Sequence, residues 1–122
     1  MRALVVDGAN VVGSRPDGWW RDRAGAARRL HQAIAAADLG YDEVVLVLEG
    51  AARAGRPAGR DGALDTVHAR GSGDDAIVDR VGLLSAAGHE VLVVTADRAL
   101  RGRVAAAGGS CVGPSWLLAR TP

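Results

Sequence analysis

The chain has 122 residues, 48% of them hydrophobic, which is enough apolar content for one globular domain with a real core. A formal net charge of +1 says little about partners, and the single cysteine, Cys111, excludes an intrachain disulfide. The fifteen basic residues are all arginine, and several cluster: Arg21 with Arg23, Arg28 with Arg29, Arg53 with Arg56 and Arg60, and Arg98 with Arg101 and Arg103.

In chain order, Arg2 to Val6 reads as a buried strand that ends at Asp7. Residues 22–37 place Ala26, Ala27, Leu30, Ala33, Ile34 and Ala37 at helical spacing, and Gly40 stops the helix. Val44 to Leu48 forms a second strand that ends at Glu49. Residues 50–63 are rich in Gly, Ala, Arg and Pro and read as a flexible loop. A weaker strand at 64–68, a helix at 74–87, a strand at 90–94, a helix at 97–107, a short strand at 110–112 and a last helical turn at 114–119 complete the series. Strands alternating with helices predict a parallel sheet of about five strands covered on both faces, with no repeat and no domain boundary within residues 1–122. The first residues carry too short an apolar run for a signal peptide, and no segment is apolar enough to span a membrane, so a cytoplasmic protein is expected.

The aspartates fall at the carboxyl ends of strands or at the starts of the helices that follow. In an open parallel sheet those ends share one edge, where the ligand crevice lies. Two carboxylates about 4 Å apart repel by about 4 kcal/mol at an effective dielectric of about 20, and a divalent cation is the usual compensation. Asp7-Gly8-Ala9-Asn10 admits two readings. One is a metal ligand at a strand end, with Asn10 orienting Asp7 or a water. The other is an Asp-Gly hairpin between two apolar runs. Gly71-Ser72-Gly73-Asp74-Asp75 also matches a dinucleotide fingerprint, but acids stand where a pyrophosphate would approach. Capping of the helix by Ser72 or Asp74 is the alternative reading, and it is compatible with metal binding. Thr95 and Asp97 carry the same double reading, and Arg98 is placed to meet a phosphate. Glu49 stays open between a ligand, a support for one and a solvated loop residue. His31 is expected on a helix surface, His68 at a strand end and His89 in a turn. Trp19-Trp20 reads as a hydrophobic clasp or as a base-stacking platform.

Taken in order, the strand ending Asp7-Gly8-x-Asn10, then Gly73-Asp74-Asp75-x-Ile77, then Thr95-x-Asp97-Arg98 resembles the NYN family of PIN-like nucleases, close to its YacP-like branch, along nearly the whole chain. Glu49 stands where relatives often carry aspartate, and Gly73 where many carry alanine. The resemblance implies a three-layer α/β/α fold and cleavage of RNA phosphodiesters with Mg²⁺ or Mn²⁺. It implies Asp7, Asp74 and Asp97 as the core acids and metal ligands, with Asn10 and Asp75 as supporting polar residues. Arg98, Arg101, Trp20 and Glu49 are the candidate substrate contacts. RNA is the expected partner, no membrane is, and a homodimer is left open. Two other readings stand beside it: a metal-dependent nucleotide pyrophosphohydrolase, and a non-catalytic nucleic-acid-binding or interaction module.

Overall fold

The computed structural model describes residues 1–122. Its elements are β1 (Arg2–Asp7), α1 (Gly8–Gly13), α2 (Arg23–Ala36), β2 (Glu43–Leu48), β3 (Gly59–Asp61), β4 (Leu64–His68), α3 (Gly73–Ala86), β5 (Glu90–Val94), α4 (Arg98–Ala106), β6 (Ser110–Val112) and α5 (Pro114–Leu118). The sheet order is β3-β4-β2-β1-β5-β6. All pairings are parallel except β3 with β4. The five parallel strands are those expected from the sequence, and the architecture is the three-layer α/β/α arrangement of PIN-like domains.

The sheet is buried on both faces, which is why β1, β2 and β5 read as apolar runs with no polar alternation. Side chains still alternate between faces along each strand. Ala3 and Val5 of β1, Val45 and Val47 of β2, and Val91 and Val93 of β5 pack under α3 and α4, against Ile77, Val81, Leu100 and Val104. Their neighbours Leu4, Val6, Val44, Leu46, Leu48 and Val94 pack on the opposite face against Val11 of α1, Ala27, Leu30 and Ile34 of α2, and Leu117 of α5. Each layer thus has its own apolar core.

One alternative falls away, and one segment and one side chain differ from the sequence expectation. The chain after Asp7 does not turn back as a hairpin: it enters α1 directly, and β1 pairs only with β2 and β5. Gly8 permits this close entry, because a Cβ there would lie 2.6 Å from the Val47 carbonyl oxygen. Residues 50–63 are not a featureless loop. Gly50–Gly55 forms a 3-10 turn against α2, and Gly59–Asp61 adds an antiparallel edge strand through a turn at Gly62, whose φ is +63°. All three residues of β3 are exposed, so no hydrophobic pattern marks it; the Asp61-Gly62 pair was its only signal. His31 lies buried between α2 and its neighbours, not on the helix surface.

Candidate functional site

The order of the parallel strands reverses between β1 and β5: the chain runs outward through β2 and β4, then returns to the other side of β1. Ligands of open α/β sheets bind beyond the carboxyl ends of the strands at such a switch point. Asp7 ends β1 there, Glu49 follows β2, Thr95 follows β5, and α3 begins nearby at Gly73. Asp7, Glu49 and Thr95 continue the strand alternation toward the α3 and α4 face. They stand at one acidic edge.

Asp7 is the fixed point of that edge. It is 6% exposed, and both oxygens are engaged. Oδ1 accepts from the Asn10 backbone N at 3.3 Å, capping α1, and Oδ2 accepts from the Thr95 hydroxyl at 2.9 Å. Burial raises its pKa, and the Asp74 and Glu49 charges add to this; the bonds from Thr95 and Asn10 work against it.

Thr95 is the residue that sequence reasoning underrated. It is fully buried, gives its proton to Asp7 and accepts the Asp97 backbone N–H at 3.2 Å. One hydroxyl therefore ties β1 to the start of α4. The only available signal was a threonine at the end of an apolar strand, which also reads as a cap.

Asn10 supports this junction in an unforeseen way. Its backbone orients Asp7, while its side-chain Oδ1 accepts the Ala96 backbone N–H at 2.8 Å and holds the 95–97 segment in place.

Asp74 lies on the first turn of α3, which Ser72 caps through a 3.2 Å bond from the Asp74 backbone N. Its own carboxylate is left for other partners. Partial burial raises its pKa first, then the charges of Asp97, Glu49 and Asp75, with Arg103 opposing. Asp97 caps α4 by accepting the Leu100 N–H on Oδ1 at 2.9 Å. Capping uses one of its oxygens.

Glu49 reaches across to α3. Its Oε2 accepts the Gly73 N–H at 3.2 Å, so it holds the start of the helix that carries Asp74. Asp75 is exposed and pairs with Arg103 at 2.8 Å, on the flank of α3 that faces α4.

Of the candidate substrate contacts, Arg101 is tied through Nε to the Thr95 carbonyl at 3.2 Å; its neighbour Arg103 is taken by Asp75. Arg98 is exposed and forms no ion pair. Trp20 is 54% exposed and packs edge-on to Trp19, with ring centroids 5.9 Å apart. His68 bonds the Arg56 carbonyl oxygen at 2.7 Å and so pins the 50–63 segment.

The acids are hard oxygen donors of the kind Mg²⁺ and Mn²⁺ take. Asp74 feels both Asp97 and Glu49, and Asp7 feels Asp74. As the side chains stand, no three His, Cys, Asp or Glu groups close on one point tightly enough to hold a metal ion. The donor chemistry therefore fits a divalent cation, and the acids share an edge without forming a closed cage.

The domain is a three-layer α/β/α fold of PIN-like type. The chain aligns with a crystal structure of a Rae1 (YacP) variant from Bacillus subtilis at a TM-score of 0.75 and 19% identity, over 98% of this chain and 74% of that one. At that identity the likeness establishes the fold. No family model matches the chain, and no curated protein matches it. No helix is long and apolar enough to cross a membrane.

Proposed function

We propose that the chain is a metal-dependent ribonuclease of the NYN type, near the YacP-like branch, that hydrolyses RNA phosphodiesters at the Asp7 edge. The observation that carries the reading is Asp7 itself: a buried carboxylate at the switch point, held by Thr95 and Asn10 and lifted in pKa by burial and by Asp74 and Glu49. Burying and crowding carboxylates costs free energy, and functional sites are where such groups cluster. The order of the sequence motifs and the likeness in fold to Rae1 (YacP) support the same reading.

Asp7, Asp74 and Asp97 would hold Mg²⁺ or Mn²⁺. When bound, such an ion supplies Lewis acidity that lowers the pKa of water and offsets charge on a leaving oxygen. The chain's own residues do the rest. Thr95 and Asn10 fix the direction of the Asp7 carboxylate. Glu49 holds the first turn of α3 and thereby places Asp74. Asp97 presents its free oxygen from the cap of α4. Arg98 stands at the rim to meet a backbone phosphate.

The test is incubation of labelled single-stranded RNA, and separately nucleoside triphosphates, with Mn²⁺ or with EDTA. We expect RNA cleavage with Mn²⁺, none with EDTA, and none from Asp74→Asn. Release of pyrophosphate from a triphosphate with RNA left intact would replace this reading with a nucleotide pyrophosphohydrolase. RNA bound but never cut would leave a non-catalytic binding module.

A further inference from the structure

Two cavities open on either side of Ala9, on the first turn of α1. The one on the β5 side, about 540 Å³, is lined by small or polar residues such as Asn10, Ser14, Ala96 and Ser115, with no aromatic ring and no charged group. The one on the β2 side, about 350 Å³, has another character: its walls include Gly8, Trp19, Arg23, Ala27, Leu48 and Glu49. That volume lies within the roughly 300–1,000 Å³ range of small-molecule pockets.

Three observations converge on the second cavity. The Arg23 guanidinium lies over the Trp19 ring, 5.1 Å from its centroid, so an indole and a cationic plane stand together at one wall. Arg23 is absent from the four ion pairs of the molecule, which leaves its donors unclaimed by any carboxylate. Glu49 belongs both to this wall and to the acidic edge, and Gly8 follows Asp7 directly, so the cavity adjoins the edge.

We propose that this cavity is a nucleobase subsite, which receives one base of single-stranded RNA beside the phosphate held at the acidic edge, with Trp19 and Arg23 as its stacking wall. The proposal rests on the ribonuclease reading and adds to it where the neighbouring base goes. Unstacked RNA bases dock on aromatic rings and on guanidinium planes. The apolar side of the cavity disfavours a bare phosphate, and the negative charge of Glu49 at its wall works against one. The cavity across Ala9 has no such wall, so the strand is gripped through a base on the β2 side only. Trp20 and Arg21 lie outside this cavity and play no part in the grip.

The test uses the Asp74→Asn protein with Mg²⁺ and a labelled single-stranded RNA, compared with a series of the same oligomer lacking one base at a time. We expect one missing base to weaken binding by roughly 5- to 150-fold, the size of one base–aromatic stack. Trp19→Ala should weaken the intact oligomer by a similar factor and erase the penalty at that position. Trp20→Ala should leave the penalty in place. Ala51→Trp, which adds bulk at the exposed rim and keeps Trp19, should reproduce the Trp19→Ala result and decides the matter if Trp19→Ala does not fold. A flat scan, with RNA bound and the unsubstituted protein still cutting, overturns the subsite and leaves the ribonuclease reading intact. No RNA binding and no cleavage overturns both.

Discussion

Glu49 occupies the space that a side chain at Gly73 would need. A Cβ built on Gly73 would lie 2.8 Å from Glu49 Oε1, and the Gly73 N–H donates to Glu49 Oε2. By the resemblance, relatives often carry aspartate at the first of these positions and many carry alanine at the second. The two residues compensate: the extra methylene of glutamate extends into room that only glycine leaves.

Gly73→Ala should therefore push the mobile Glu49 carboxylate aside and cost its bond to the Gly73 N–H, a loss of about 0.5–1.5 kcal/mol. With Glu49→Asp in place the same change should become neutral or mildly stabilising, since the shorter acid vacates the space. Urea denaturation of the two single variants and the double variant measures the coupling. Additive effects would show that the two positions are independent.

Asp7→Asn should raise the melting temperature at pH 7. The folded-state pKa of Asp7 is raised above its ordinary 3.8 by burial, so in the window just above 3.8 the folded chain binds more protons than the unfolded one. Stability is then lost as pH rises through that window, and the cost persists at neutral pH. The gain from Asp7→Asn should shrink as pH falls toward 3.8. A gain that grew in acid would reverse the sign assigned here.

Thr95→Val keeps the shape of the side chain and removes the hydroxyl that joins Asp7 to the Asp97 backbone. Leaving a buried acceptor without its donor should cost about 1–3 kcal/mol. Losing the bond that stabilises the carboxylate should also raise the Asp7 pKa further, so the acid limb of the RNA cleavage profile should move to higher pH. Thr95→Ser, which keeps the hydroxyl, should restore the original limb.

His31 gives the opposite pH dependence. It is buried, its Nε2 has no hydrogen-bond partner, and burial together with the Arg56 charge lowers its pKa below 6.5. The unfolded chain takes the proton first, so this contribution is complete above pH 6.5 and is lost as pH falls through the window below it. His31→Leu should flatten stability between pH 6.5 and the lowered value, as followed by thermal melts across a pH series. Unchanged curvature would place the titration elsewhere.

Among Arg98, Arg101 and Arg103, only Arg98 is free of a partner within the fold. Arg98→Ala should therefore reduce the slope of log RNA affinity against log salt by about 0.7, one single-strand phosphate contact. Arg103→Ala should leave the slope nearly unchanged, because Asp75 already neutralises its charge. A filter-binding salt series on the Asp74→Asn background separates the two.

The sequence by itself determined the layers and the acidic edge. The apolar runs of β1, β2 and β5 are continuous because both faces of the sheet are covered, and this pattern needs no tertiary information to be read. Parallel strands place their carboxyl ends together, so Asp7, Asp74 and Asp97 could be assigned to one edge from chain order alone. What only the tertiary structure decided was which groups each of these residues meets. The Asp7 bond to Thr95 spans 88 positions, the Asn10 bond to Ala96 spans 86 and the Glu49 bond to Gly73 spans 24. Such contacts leave no periodicity in the chain. The same holds for β3, whose exposed residues are a strand only because the edge of β4 is there to pair with them. Local patterning follows from which face of an element is dry, and it repeats along the chain; a hydrogen bond between distant residues depends on where two separate elements end, and it occurs once.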